Sequence, residues 1–185
     1  MGLKELTADK HTEAENTLFM KAIFSRTLDP ALYTKFLFQK YYIYKALEKQ
    51  AARRKLFIDN SDFQIHDRLI IDYRKRLGSN IPKDTLGSVT GDYVQYIDLT
   101  LGAQESADGL LAHIYTWHMG DLYGGQAIKA LLPGSNLSLE FDNPDKLKAE
   151  IRALLNDNMA EEANKAFDYA IKMLKVYDRD LEQNS

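Results

Sequence analysis

Apolar residues recur at three- and four-residue spacing along almost the whole chain, while strand-type alternation is scarce. A chain patterned this way buries its apolar stripes by packing helix on helix. Proline is rare, with 4 among 185 residues, so few breaks interrupt the pattern. Two of the breaks are starts: Asp29-Pro30 and Asn143-Pro144 each read as a cap followed by proline in the first helical position. The spacing predicts about seven helices. The first begins near Leu3 and carries Leu6, Leu18 and Ile23, and the second runs from Pro30 to near Lys55. A third covers Phe63 to Leu77 and stops at Gly78-Ser79-Asn80; a looser one spans Val89 to Leu101. The longest runs from Ser106 to Leu132 and ends at Pro133-Gly134. Asn143-Pro144 opens the sixth, and Glu161 to Leu181 forms the last. The expected fold class is all-α, with residues 1–185 as a single domain, since the length suits one full core and not two.

Composition narrows the function. A formal net charge of −3 offers no general attraction to polyanions, which argues against nucleic acid as a partner. The absence of cysteine excludes disulfides, cysteine-ligated iron–sulfur clusters, thiolate-ligated haem and cysteine-rich zinc sites. No apolar run approaches the roughly 20 residues of a membrane span, and the Met1-Gly2-Leu3-Lys4-Glu5-Leu6 start has no signal-peptide stretch. The expected location is the cytoplasm, with no membrane partner.

Two constellations carry chemistry. In Thr7-Ala8-Asp9-Lys10-His11-Thr12-Glu13-Ala14-Glu15-Asn16, His11 and Glu15 are four apart and share a helix face. A carboxylate that accepts the far N–H of a histidine fixes its tautomer for ligation, so His11 is a candidate metal ligand and Glu15 its orienting partner. Lys4 lies two turns earlier, within reach of an anionic group on a ligand held by His11. The same spacing equally suits a surface or packing histidine. The second constellation is Gly120, Gly124 and Gly125 inside the longest helical pattern, each costing about 1 kcal/mol against alanine. Interior glycines permit close approach of another backbone or a flat ligand, and Gly125 adds a possible kink. Asp121, at the edge of this strip, reads either as a site residue or as the solvent side of a helix crossing.

Other candidates are weaker. His66, His113 and His118 form no H-E-x-x-H pattern and read as structural. The basic run Lys49 to Lys55 reads as a solvated helix end. Lys148 and Arg152 place two like charges on one helix face, an arrangement suited to gripping carboxylates. Tyr41, Tyr42 and Tyr44 form an aromatic patch that belongs mostly to the core.

The run Gly120-Asp121-Leu122-Tyr123-Gly124-Gly125-Gln126 resembles the G-D-L-S-G-G-Q motif of haem oxygenases. Ala112-His113-Ile114-Tyr115-Thr116 is similar to that family's A-H-x-Y-T, and His11-Thr12-Glu13-Ala14-Glu15-Asn16 to its proximal segment, H-x-x-A-E-N. Tyr41 to Glu48 resembles the last eight positions of L-Y-x-x-Y-x-A-L-E. The likeness covers about 3–55, 107–132 and, more weakly, 146–181. It implies a multi-helix fold with haem b, as cofactor and substrate, between the N-terminal helix and a glycine-kinked distal helix. His11 would be the iron ligand, with Glu15 bonded to it. Gly120, Gly124 and Gly125 would line the distal face, and Asp121 would organise distal water with Tyr44 as partner. Lys4, Tyr115, Lys148 and Arg152 would hold the propionates. The implied reaction opens haem to biliverdin, IXα by family default, releasing carbon monoxide and ferrous iron. Electrons would come from an external donor, reduced ferredoxin, and a bilin reductase could act downstream. The alternative is a haem-binding or haem-transfer protein without turnover. Departures from the pattern are Tyr123 for a small residue, Trp117 where arginine is common, and Ala170 for an asparagine.

Overall fold

In the computed structural model, which describes residues 2–80 and 84–183, the described residues form helices joined by turns and short loops, with no strand among them. Nine α-helices follow in order among the described residues: α1 (Leu3–Leu6), α2 (Ala8–Glu15), α3 (Leu18–Phe24), α4 (Pro30–Arg53), α5 (His66–Leu77), α6 (Ser88–Gln95), α7 (Asp108–Leu131), α8 (Pro144–Ala153) and α9 (Ala160–Gln183). A π-helical stretch, Tyr96–Leu101, continues α6.

The expected first helix is three short ones. The segment from Ala8 to Glu15 has no buried residue, so no core contact holds it in register with its neighbours. Thr7 turns its hydroxyl back onto the Leu3 carbonyl at 2.9 Å and ends α1. Thr17 takes an extended conformation and caps α3 by accepting from the Met20 amide. The other six expected helices map onto α4 to α9. Asp29 caps α4 by accepting from the Ala31 amide at 2.8 Å, and Asn143 caps α8 through the Lys146 amide at 3.2 Å.

α5 begins three residues later than its apolar pattern suggests. Buried Glu48 on α4 accepts from the Ile65 and His66 amides at 2.7 and 3.0 Å, so the cap of α5 comes from another helix. Asp72 does the same for the segment after α7. Fully buried on α5, it accepts from the Leu137 and Ser138 amides and the Ser135 hydroxyl.

The main apolar cluster draws residues from α3 to α9, including Phe19, Tyr44, Leu69, Ile97, Ile114, Leu147 and Leu174. A smaller cluster of Leu3, Leu111, Ala112, Met159 and Ala163 seats α1 against α7 and α9. Both α2 and α7 pack on α9, which sets the N-terminal histidine helix and the glycine helix on one common support.

Candidate functional site

His11 stands on the outer surface of α2, its side chain 58% exposed. Its Nδ1 faces Glu15 Oε2 at 3.6 Å, an orienting distance rather than a full hydrogen bond. That leaves Nε2 as the nitrogen open to a ligand. The imidazole edge rests on Phe167 of α9, with centroids 6.0 Å apart and planes at 79°, so the ring is supported without being enclosed.

α7 runs without interruption through its glycines. Gly120 and Gly124 are exposed, and a Cβ on either would meet nothing within 4 Å. They form a bare strip, one turn apart, over open space. Gly125 departs from its expected role on that strip. It is buried, and a Cβ there would come within 2.8 Å of Leu139 Cδ2, so this glycine admits the Leu139 segment against the back of α7.

Asp121 lies neither on the strip nor on the solvent side. It is 6% exposed and turned toward α4. The Tyr44 hydroxyl donates to Asp121 Oδ2 at 2.6 Å, with the Trp117 carbonyl at 2.9 Å. Lys40 Nζ donates to Asp121 Oδ1 at 2.6 Å, and both side chains are under a tenth exposed. Burial and the Asp121 charge hold the Tyr44 phenol well above its usual range, so it stays a donor at neutral pH.

The four anion-gripping candidates fall into two groups. Lys148 lies over the Tyr123 ring, 4.6 Å from its centroid, and also pairs with Asp145 at 3.2 Å. Arg152 donates to the Tyr123 hydroxyl. Tyr123, 49% exposed, thus bridges α7 to both cations of α8. Tyr115 is half-buried against the Leu3 cluster, and exposed Lys4 follows Leu3 on α1. The Leu3 cluster therefore sets Lys4 and Tyr115 at the same packing of α1 against α7.

The remaining histidines are structural. Buried His113 joins the Tyr93 hydroxyl at 2.6 Å through Nδ1 and Glu162 at 3.1 Å through Nε2. His118 stacks on Phe63 at 4.4 Å, and burial pushes its imidazole down to about 4. His66 pairs with Glu48, which raises its pKa. No group of three His, Asp or Glu among the described residues can enclose a metal ion. A ligand held through one imidazole against a flat surface fits these residues better than a caged ion.

Sequence reasoning missed Lys40. Its signal was available: a lysine one turn before Tyr44 on the face that carries Phe36, Leu37, Ile43 and Leu47. It also missed Tyr93, whose hydroxyl receives the Trp117 indole N–H at 3.0 Å. Tyr93 sits in the segment outside the matched motifs, so no local pattern marked it.

The heme oxygenase family model matches residues 1–176, including the 56–105 stretch that the motifs leave uncovered. "Heme oxygenase 2" of Mus musculus is 30% identical over 96% of this chain, which spans 64% of the mouse protein's length. "Heme oxygenase 1" of Synechocystis is 28% identical, covering 97% of this chain and 84% of that protein. The crystal structure of heme oxygenase-1 from Synechocystis in complex with heme superposes with a TM-score of 0.84. That likeness covers 98% of this chain and 93% of the other at 24% identity, and so bears on the fold. The all-α arrangement is that of the heme oxygenase structures, and by the family match the chain belongs to the haem oxygenase family.

Proposed function

We propose that this chain is a haem oxygenase that opens haem to biliverdin, IXα by position, with release of carbon monoxide and ferrous iron. The observation that carries this reading is that an exposed imidazole flanked by a carboxylate at His11 and a bare strip at Gly120 and Gly124 stand on two helices that both pack on α9. A planar tetrapyrrole needs both: one nitrogen ligand on one face, and a helix without side chains on the other.

When bound, haem supplies the iron at which oxygen is activated against the ring itself. His11 would hold the iron through Nε2, with Glu15 orienting its ring from the Nδ1 side. A neutral imidazole lacks the electron push of a thiolate, and the chain has no cysteine to provide one. Gly120 and Gly124 would let the helix backbone approach the haem closely, which would leave room for small molecules and exclude bulky reactants. Asp121 and Tyr44 anchor ordered water beside the strip: each carboxylate oxygen keeps a lone pair after its bond to Lys40 or Tyr44. Water held this way moves protons without placing a strong acid on the reacting atoms. Lys148 and Arg152, with Lys4 and Tyr115 at the other end, hold the propionates and set which ring edge turns inward.

The electron donor is reduced ferredoxin, docked on basic residues around the ligand edge, and a bilin reductase can take the product. The proposed setting is the cytoplasm, with the donor met in solution; no described helix is long and apolar enough to cross a membrane.

The test mixes purified protein with haem, oxygen and either ascorbate or reduced ferredoxin, and follows the absorption spectrum. A biliverdin spectrum is expected, and stable haem binding without it would instead favour a haem carrier. His11→Ala should abolish the histidine-ligated spectrum and turnover together. An unchanged spectrum in that variant sinks the ligand assignment.

A further inference from the structure

We infer that Lys40 is a positioning residue of the reaction: a buried ammonium supplied by α4 that pins the Asp121 carboxylate and sets the charge beside the glycine strip. The inference rests on the haem oxygenase reading and assigns a residue that stands where the family's L-Y-x-x-Y-x-A-L-E pattern has leucine.

Lys40 is 6% exposed, and its Nζ sits 2.6 Å from Asp121 Oδ1. The ammonium also lies 5.9 Å from the Phe36 ring centroid and 5.5 Å from that of Tyr44, so two aromatic faces of its own helix flank it. Packing does not explain a lysine here. The face around it is apolar, and a leucine or methionine would fill it without desolvating a charge. Three other buried carboxylates, Glu48, Asp62 and Asp72, each accept from backbone amides that they cap, and Glu48 also pairs with His66. Asp121 instead takes a cation on one oxygen and a phenol on the other, which fixes the plane of its carboxylate.

The neighbours of Asp121 leave the positive charge to Lys40. On α7, Trp117 is uncharged and turns its indole N–H to Tyr93, while His118 is neutral at physiological pH because burial depresses it. On α4, Tyr44 is a neutral donor, and Tyr33, which also feels the Asp121 charge, is held protonated by its burial. Leu139, reaching in beside Gly125, is apolar. Loss of the Lys40 charge therefore leaves Asp121 both mobile and uncompensated at the distal side. Both changes act on the water that Asp121 holds, and neither touches His11.

The experiment compares the wild type with Lys40→Gln, which keeps one N–H donor and drops the charge, and with Lys40→Arg. Each is loaded with haem and read three ways: melting temperature without haem, biliverdin formed per turnover assay, and the pH midpoint of the acid-to-alkaline spectral change of the ferric complex. Lys40→Gln should retain the histidine-ligated spectrum while losing at least about ten-fold in biliverdin formation. Its spectral midpoint should rise by about one pH unit, because a lost positive charge disfavours the more negative form. Lys40→Arg should restore the midpoint. A Lys40→Gln protein that melts earlier but keeps the wild-type midpoint and turnover has lost only a structural contact, and that result overturns the inference. Absence of biliverdin from the wild type itself would instead strike the haem oxygenase reading.

Discussion

At Gly120, Gly124 and Gly125 the same residue type does two different jobs, and one substitution separates them. A methyl on Gly120 or Gly124 meets open space, so alanine should stabilise the haem-free protein by about 0.5–1 kcal/mol through helix propensity. The same methyl projects into the strip where the ligand would lie, so haem affinity should fall. At Gly125 the methyl meets the tip of the buried Leu139 side chain at 2.8 Å, and alanine should cost up to about 1 kcal/mol, since helix propensity offsets part of the overpacking. Thermal unfolding with and without haem checks both. Equal effects at all three sites would remove the distinction drawn between open strip and packed back. In sequence the three glycines were one motif. Their opposite directions became visible once the segment carrying Leu139 was folded against one side of α7.

Elements here are held by carboxylates buried in one helix and spent on the backbone of another. Asp72 of α5 anchors the turn that follows α7, accepting from Leu137, Ser138 and Ser135. That turn carries Leu139 to Gly125, so α5 indirectly fixes the back of the glycine helix. Asp72→Ala should orphan two amides and a hydroxyl and destabilise the protein by about 3 kcal/mol. Urea denaturation measures it, and a loss below about 1 kcal/mol would mean that water replaces the carboxylate. The starts of α4 and α8 were readable because Asp29-Pro30 and Asn143-Pro144 act within four residues of themselves. The start of α5 was not, because its cap, Glu48, lies on α4. The split of the N-terminal segment also escaped the pattern. Leu3, Phe19 and Ile23 are buried, but the helix between them has no buried residue to hold one continuous register.

For the molecule as a whole, the buried histidines couple stability to pH. His118 titrates at about 4 in the fold against about 6.5 unfolded. Between these values the unfolded chain takes a proton that the native state refuses, so stability falls as pH drops from about 6.5 to about 4. The loss amounts to about 3 kcal/mol for this group. His113, depressed by burial, acts in the same direction, while His66, raised by Glu48, adds stability below about 6.5 that is lost as pH rises through its folded value. Glu162, held at about 2 by His113, contributes above about 4.5 and withdraws that contribution only at lower pH. His118→Gln should therefore remove much of the stability loss between pH 6.5 and 4.5 in urea titrations. An unchanged slope would assign the acid sensitivity elsewhere.

The sequence by itself determined the helical class, the places where α4 and α8 begin, and the residues of the two motifs, because each is written in local spacing, capping chemistry or a contiguous run. It also brought Tyr44 and Asp121 together by resemblance, and the fold joins them at 2.6 Å. Tertiary structure decided which way each group faces. It turned Asp121 inward, set Lys40 against it from a residue 81 positions away, and buried Gly125 while leaving Gly120 and Gly124 bare. These are facts of helix rotation and packing between distant segments. A local pattern encodes which face of a helix is apolar, but not which side chain of another helix will meet it.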